Sequence, residues 1–169
     1  MTESHLDPLK LDSQAFRRAL GCFATGVTVV TAVGPRREII GITANSFSSV
    51  SLEPPLVLFS LNRRALSLTG FLQTHHFAVN ILRAGQEKIA NQFAQSRGEK
   101  WKDVDFITWD SGCPILKDAL ACFECKIRHT YRGGDHIILV GEVLRILADP
   151  EGEALLFFRG KYREMAPGD

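Results

Sequence analysis

The chain has 169 residues, 45% of them apolar and 23% charged, which is the balance of one globular domain and excludes a disordered, collagen-like or coiled-coil chain. A domain of this length buries about 70% of its extended-chain surface, so a core can form without disulfides or a metal. Lysine and arginine number 20 against 19 aspartates and glutamates, a net charge of +1 that gives no support to nucleic acid as a partner. No apolar run reaches the ~20 residues of a membrane-crossing helix. The opening Met1-Thr-Glu-Ser-His-Leu-Asp-Pro8 is polar and acidic, where a secretory signal starts basic and turns apolar. The expectation is a soluble, cytoplasmic protein with no membrane partner. Its cysteines, Cys22, Cys113, Cys122 and Cys125, are then reduced thiols. One domain is expected over 12–165, with a flexible segment at 1–11 and a tail at 166–169.

Asp12 or Ser13 can cap a short helix that carries Phe16, Leu20 and Phe23 at helical spacing. Val27-Thr-Val-Val-Thr-Ala-Val33 is β-branched and reads as a strand, broken by Gly34-Pro35. Ile39 to Asn45 makes a second strand, so the two form a hairpin. Residues 46–51 continue extended until Glu53-Pro54-Pro55 ends the segment, because proline has no ladder donor. Strands are expected at 56–61 and 77–82, and short helices at 65–73 and 86–95. Residues 98–118 look irregular. Two long strands, 121–132 and 136–147, flank Gly133-Gly134, whose tolerance of positive φ suits a tight turn. A last strand covers 155–158. About seven strands, three helices and at least two hairpins exclude a doubly wound parallel sheet. A mainly β fold, an antiparallel barrel decorated by short helices, fits this order.

Several chemistries lack their motifs. There is no G-x-G-x-x-G, no G-x-x-x-x-G-K, no G-x-S-x-G and no H-E-x-x-H, so a nucleotide must be held without a Rossmann loop. Cys122-x-x-Cys125-x-x-x-His129 invites a zinc reading with His136 as a fourth ligand. On a regular strand, however, Cys125 and His129 share one face and Cys122 points to the other, so packed thiols and no metal are expected. The Asp135-His136 pair invites a hydrolase reading. Strand neighbours point to opposite faces, so the two are not expected to bond as a triad does.

Residues 43–51 read Thr-Ala-Asn-Ser-Phe-Ser-Ser-Val-Ser, and six of the nine carry a hydroxyl or amide side chain. They form either a polar strand end or a set of neutral donors converging on an anion such as phosphate. Thr25-Gly26 is a similar polar point at another strand entrance. Asn62-Arg63-Arg64 adds charge there or is a solvated turn.

These residues carry a resemblance. Phe23-Ala-Thr-Gly-Val-Thr-Val-Val-Thr31 resembles the opening motif of the flavin reductase family, and the stretch from Gly41 through Thr-Ala-Asn-Ser-Phe-Ser to Leu56 resembles its flavin-binding segment. Phe77-Ala-Val-Asn-Ile-Leu82, Cys125, Gly134-Asp135-His136 and Gly160-Lys161-Tyr162 follow in the family's order. The resemblance spans about 13–163, and its specific part is 41–56. Ala24 stands where the family more often has proline.

The resemblance implies an FMN-binding split β-barrel, a homodimer, FMN or FAD as flavin and NADH or NADPH as electron donor. It implies a flavin reductase that passes reduced flavin to a separate oxygenase component. A flavin-holding electron carrier, or a reductase of another acceptor, is the alternative. By position, Thr25, Gly26, Val27 and Thr28 approach the isoalloxazine ring. Thr43, Ala44, Asn45, Ser46, Phe47, Ser48 and Ser51 hold the ring edge, ribityl chain and phosphate. Ala78 and Val79 line the flavin pocket. Gly134, Asp135, His136 and Tyr162 border the nicotinamide. Hydride transfer between two such rings asks the protein for stacking and exclusion of side reactions, with no protein nucleophile. Dimer contacts are expected from Phe and Leu of 98–118 and of the last strand.

Overall fold

The computed structural model describes residues 12–165. The segments expected to be flexible at 1–11 and to form a tail at 166–169 lie outside them. Helix α1 (Ser13–Leu20) starts where Asp12 accepts from the backbone N–H groups of Gln14 and Ala15 at 2.8 and 2.7 Å. Only Ala15 of α1 is buried, so Phe16 and Leu20, with Phe23 just beyond, stand exposed.

The main sheet has seven antiparallel strands. In chain order they are β2 (Thr28–Val33), β3 (Ile39–Ala44), β4 (Ser48–Leu52), β5 (Pro55–Asn62), β6 (His76–Ile81), β9 (Ala121–Gly133) and β10 (His136–Ala148). In space their order is β3-β2-β6-β9-β10-β5-β4. A three-stranded sheet joins β1 (Thr25–Gly26), β11 (Leu156–Phe158) and β12 (Lys161–Arg163). Helices α2 (Leu68–Gln73) and α3 (Glu87–Ala94) complete the fold, and β7 (Phe106–Thr108) pairs with β8 (Pro114–Leu116).

The edge strands of the large sheet, β3 and β4, are consecutive in sequence. Residues 45–47 alone connect them, so the joined ends, Ala44 and Ser48, lie within about 14 Å of each other, the reach of four extended peptide units. The sheet therefore curls into a barrel that stays split at this seam. Strand β2 stands between two cores. Val30 and Ala32 belong to one, with Phe59, Phe71, Phe77 and Leu139. Val27 and Val29 belong to the other, with Phe93, Leu116 and Leu155. In the first, Phe59 meets Phe71 and Phe77 edge-on at 5.6 and 5.1 Å, a favoured ring geometry.

Three expectations change. Pro55 opens β5 instead of closing a segment: Glu53 and Pro54 make the turn, and Leu52 pairs with Pro55, the first residue of a strand, where a missing donor is tolerated. The 98–118 stretch is not wholly irregular, since it contains β7 and β8. It is also fastened to the barrel. Trp101 Nε1 donates to the Ile39 carbonyl at 3.1 Å, and Lys100 Nζ donates to the carbonyls of Gly41 and Phe93, both at 3.1 Å. Finally, β9 is not regular: its register against β10 shifts between the pairs Ile127↔Gly141 and His129↔Val140. The bulge leaves Arg128 unopposed and resets the alternation. Cys125 is buried and His129 exposed, so the two do not share a face.

Candidate active site

The register of β4, β5, β9 and β10 builds one half-open face. Strand β5 alternates strictly: Val57, Phe59 and Leu61 are buried, while Leu58, Ser60 and Asn62 are half-exposed. Asn62 pairs with His136, Ser60 with Ile138 and Leu58 with Val140. Ser48 of β4 pairs with Leu58. Cross-strand partners share a face. Ser48 and His136, 88 positions apart in sequence, thus belong to one surface. Loop 45–47 borders it, because Ser46 Oγ accepts from Ser60 N at 2.9 Å and donates to Ser60 O at 3.1 Å.

The polar stretch divides into groups that are engaged and groups that are available. Thr43 Oγ1 donates to the Ala90 carbonyl of α3 at 2.6 Å, and Thr28 Oγ1 donates to the Ala44 carbonyl at 2.7 Å. Both hydroxyls hold the fold. Ser46 fastens loop 45–47 to β5. Asn45 and Ser48 are exposed, and the Ser48 hydroxyl reaches only the adjacent Ser49 carbonyl at 3.1 Å. Phe47 is half-buried and packs on Phe123, with ring centroids 5.8 Å apart. Ser51 is half-buried opposite Leu56, beyond a register shift at Val50. Ala44, half-buried, ends β3 beside Thr28.

Thr25 and Gly26 enter from the small sheet, opposite Phe157 and Leu156. Because Thr28 pairs with Ala44, this entrance adjoins the start of loop 45–47. Thr25 Oγ1 is buried and has no hydrogen-bond partner among the described residues. A buried hydroxyl without a partner is costly, so this atom marks a place where a ligand group fits. A Cβ built on Gly26 meets no heavy atom within 4 Å, leaving the backbone there open to close approach. Val27 and Thr28 are 2% exposed, and the Val27 backbone is engaged, its N–H donating to the Leu155 carbonyl at 3.1 Å and its carbonyl accepting from Leu82 N at 2.9 Å.

Asp135 and His136 form a contact that strand alternation does not predict. Asp135 lies in the β9–β10 turn beside Gly134, whose φ is +65°, and His136 is the first residue of β10. The alternation rule therefore does not govern the pair. His136 Nδ1 and Asp135 Oδ1 are 2.7 Å apart. The bond to His136 is the main reason that the Asp135 carboxyl sits below its ordinary pKa. With its proton on Nδ1, the neutral imidazole presents Nε2 as an acceptor. The Arg63 amide donates to the Asp135 carbonyl at 2.9 Å, tying this turn to the end of β5.

The structure does not bring every expected residue to this face. Ala78 and Val79 are 0% exposed in mid-sheet β6, between β2 and β9, so neither has surface to line a pocket. Tyr162 lies on β12, where its hydroxyl donates to Asn91 Oδ1 of α3 at 3.1 Å, and burial followed by the Glu87 charge pushes its pKa up. It belongs with Thr25 and Gly26 in the small sheet and not with His136. Of the zinc run, Cys122 Sγ lies 3.4 Å from Asn80 Oδ1, and burial pushes Cys122 up to about 11 and Cys125 to about 12. His129 is stacked on Tyr131 at the surface.

Sequence reasoning missed Ser60, whose signal was present, since it alternates with Val57, Phe59 and Leu61 in one strand; Asn62, read there only as part of a charged or solvated turn, continues the same alternation. Sequence reasoning also missed Glu124, which is 2% exposed and accepts from Ser111 N and Oγ at 2.8 and 2.6 Å, anchoring the loop before β8.

Comparison with known proteins identifies the architecture. A family model for the flavin reductase like domain matches residues 20–166. The chain belongs to that family. The flavin reductase fold is shared with the NADH:FAD oxidoreductase of Streptomyces globisporus, solved with NAD and FAD fragments: identity is 42%, coverage is 95% of this chain and 98% of that one, and the TM-score is 0.88. Among curated relatives, an FMN reductase (NADH) of Agrobacterium fabrum is 44% identical over 151 residues, 89% of this chain and 85% of the relative. The reductase subunit of a flavin-dependent monooxygenase of Mycobacterium tuberculosis is 33% identical over 160 residues, 94% of this chain and 85% of the subunit. No helix among the described residues is long and apolar enough to cross a membrane.

Proposed function

We propose that this chain is a flavin reductase that moves a hydride from NADH or NADPH to FMN or FAD and hands the reduced flavin to a separate oxygenase. The observation that carries this reading is the β4-β5-β10 register, which sets the Ser46–Ser48 stretch and the Gly134–His136 turn on one half-open face. Relatives named as an NADH-dependent FMN reductase and as a monooxygenase reductase subunit support it.

The residues present fit a flavin. The orphaned Thr25 hydroxyl and the open backbone at Gly26 suit a ring edge approaching the seam. Asn45 and Ser48 supply neutral donors for a phosphate-bearing chain. When bound, flavin accepts the hydride at its ring. The protein's share is to bind, orient and exclude water. His136, held by Asp135, orients a carboxamide through Nε2. Ala78 and Val79 take no part in this reading beyond the packing of β6, and Tyr162 supports the entrance through Asn91.

The same reading makes the chain a homodimer. Support comes from apolar residues that one chain leaves in water: Phe16, Leu20 and Phe23 at 54, 56 and 77% exposure, and Leu144, Ile146 and Leu147 near the end of β10 at 51, 64 and 58%. Large apolar side chains left in water in this way suit burial against a second copy. These residues, and not the largely half-buried Phe106, Phe157 and Phe158, carry the expected contact.

Oxidation of NADH and of NADPH, each with FMN, FAD and riboflavin, tests the activity and both specificities. Turnover that scales with free flavin supports the reductase. Oxidation that needs a different acceptor favours the electron-carrier alternative. Absence of turnover with every pair refutes the proposal. Light scattering of the active protein at micromolar concentration reads the dimer, and a mass of 18.8 kDa, that of one chain, defeats it.

A further inference from the structure

Beyond the bulge at Arg128, the outer half of β9 follows the site's face. His129 pairs with Val140, Tyr131 with Ile138 and Gly133 with His136, without a further shift. His129, Tyr131 and His136 therefore share the surface that carries Ser60, Asn62 and Ser48. The rings of His129 and Tyr131 are stacked, with centroids 5.9 Å apart and an interplanar angle of 28°. Both residues are exposed, Tyr131 at 54%. Had β9 run without its bulge, alternation would have turned both rings to the other face. From His136 to Ile138 is about 7 Å along the strand, and Tyr131 lies one strand spacing of about 4.8 Å across, so the backbones of Tyr131 and His136 stand roughly 8 Å apart. The reacting half of a dinucleotide at Ser48 and His136 leaves its second base to be placed within a short distance of this point.

We propose that His129 and Tyr131 form a stacking platform for the adenine of a dinucleotide, that of FAD or that of the nicotinamide donor. The proposal rests on the function given above. An exposed aromatic pair suits adenine because a base offers a π-face to a ring and needs no specific hydrogen bond to be held by it. The fold supplies the pair on regular strand backbone, with β10 held between β9 and β5, so little is ordered on binding.

Calorimetric titration of the flavin-free protein with FMN, FAD, ADP-ribose and AMP tests this, beside turnover of NADH and of reduced nicotinamide mononucleotide, which lacks the adenylate. If the platform takes the flavin's adenine, Tyr131→Ala weakens FAD roughly tenfold and leaves FMN unchanged. If it takes the donor's adenine, the same variant weakens ADP-ribose roughly tenfold and raises the KM for NADH but not for the mononucleotide. Tyr131→Phe keeps the ring and retains wild-type values in either arm. If Tyr131→Ala does not fold, His129→Ala provides the same comparison. Unchanged affinity for FAD and ADP-ribose in folded Tyr131→Ala and His129→Ala overturns the platform, while wild-type flavin reduction keeps the function intact. A wild-type chain that binds FAD through Tyr131 yet reduces no flavin overturns the function and keeps the platform. A wild-type chain that binds none of these nucleotides overturns both.

Discussion

Ser46 and Ser48 are two residues apart, carry the same hydroxyl and have different duties, and single alanine substitutions separate them. Ser46 Oγ makes two bonds to the Ser60 backbone, fastening loop 45–47 to β5, at 2.9 and 3.1 Å. A neutral hydrogen bond contributes about 0.5–1.5 kcal/mol net, so two amount to about 1–3 kcal/mol. Partial exposure places Ser46→Ala in the lower half of that range. A loss of about 1–2 kcal/mol lowers Tm by roughly 3–6 °C in a domain of this size. Ser48 bonds only to its neighbour's carbonyl at an exposed strand start, so Ser48→Ala leaves Tm within about 1 °C. Ligand affinity reverses the order. A hydroxyl donating to a phosphate contributes about 1.5–3 kcal/mol, so Ser48→Ala weakens FMN by about 10- to 150-fold. Riboflavin has no phosphate and binds this variant like the wild type. Differential scanning calorimetry and flavin fluorescence titration read the two quantities. The reasoning fails if Ser46→Ala melts with the wild type, or if Ser48→Ala binds FMN unchanged.

His136→Ala raises the KM for the nicotinamide donor up to roughly tenfold while flavin affinity holds, since one neutral hydrogen bond is lost; stopped-flow reduction at varied NADH measures it. Asp135→Ala frees the imidazole from its 2.7 Å partner and gives a smaller loss in the same assay; an effect larger than that of His136→Ala contradicts the orienting role. Gly141→Ala destabilises by about 1–3 kcal/mol in urea unfolding, because an added Cβ meets the Phe77 ring at 2.5 Å and Cys125 Cβ at 2.9 Å. Buried Cys122 and Cys125, at about 11 and 12 in the native chain, keep protons that the unfolded chain releases above its ordinary thiol value of 9.0. Their raised native pKa contributes stability that is full below pH 9 and declines as pH rises, by about 1.4 kcal/mol per thiol between pH 8 and 10; a smaller decline in Cys122→Ala/Cys125→Ala checks the sign.

Where local pattern decides the outcome, the fold was legible. The β-branched run at 27–33 is a strand because such side chains suit a pleated, buried surface, and β2 is walled by core on both faces. Gly133-Gly134 marks the hairpin because the turn needs a residue at positive φ, and Gly134 takes it. Pro54-Pro55 misled, since proline excludes a residue from the middle of a sheet but not from the first position of a strand. The 98–118 stretch misled for another reason. Its order comes from distant partners, Trp101 to Ile39 and Lys100 to Gly41, and no window of local sequence contains both ends of such a bond.

The site was legible as a segment and not as a surface. Composition located the polar stretch at 43–51, yet it could not tell a hydroxyl that stitches the barrel from one that faces outward. That division depends on which neighbour stands opposite, and register is a property of pairs of strands. The same holds for Asp135 and His136. Alternation argued that they point apart, but it applies within a strand, and the strand starts one residue later than the pair. The bulge at Arg128 is the most consequential unread feature. One unopposed residue separates the buried Cys125 from the exposed His129, so a spacing that looked like a metal run becomes a core thiol on one side of the kink and a surface ring on the other. No period-2 reading of β9 anticipates this, because the pattern changes phase inside the strand. Ladder register, not residue type, therefore decides which of these side chains a ligand meets.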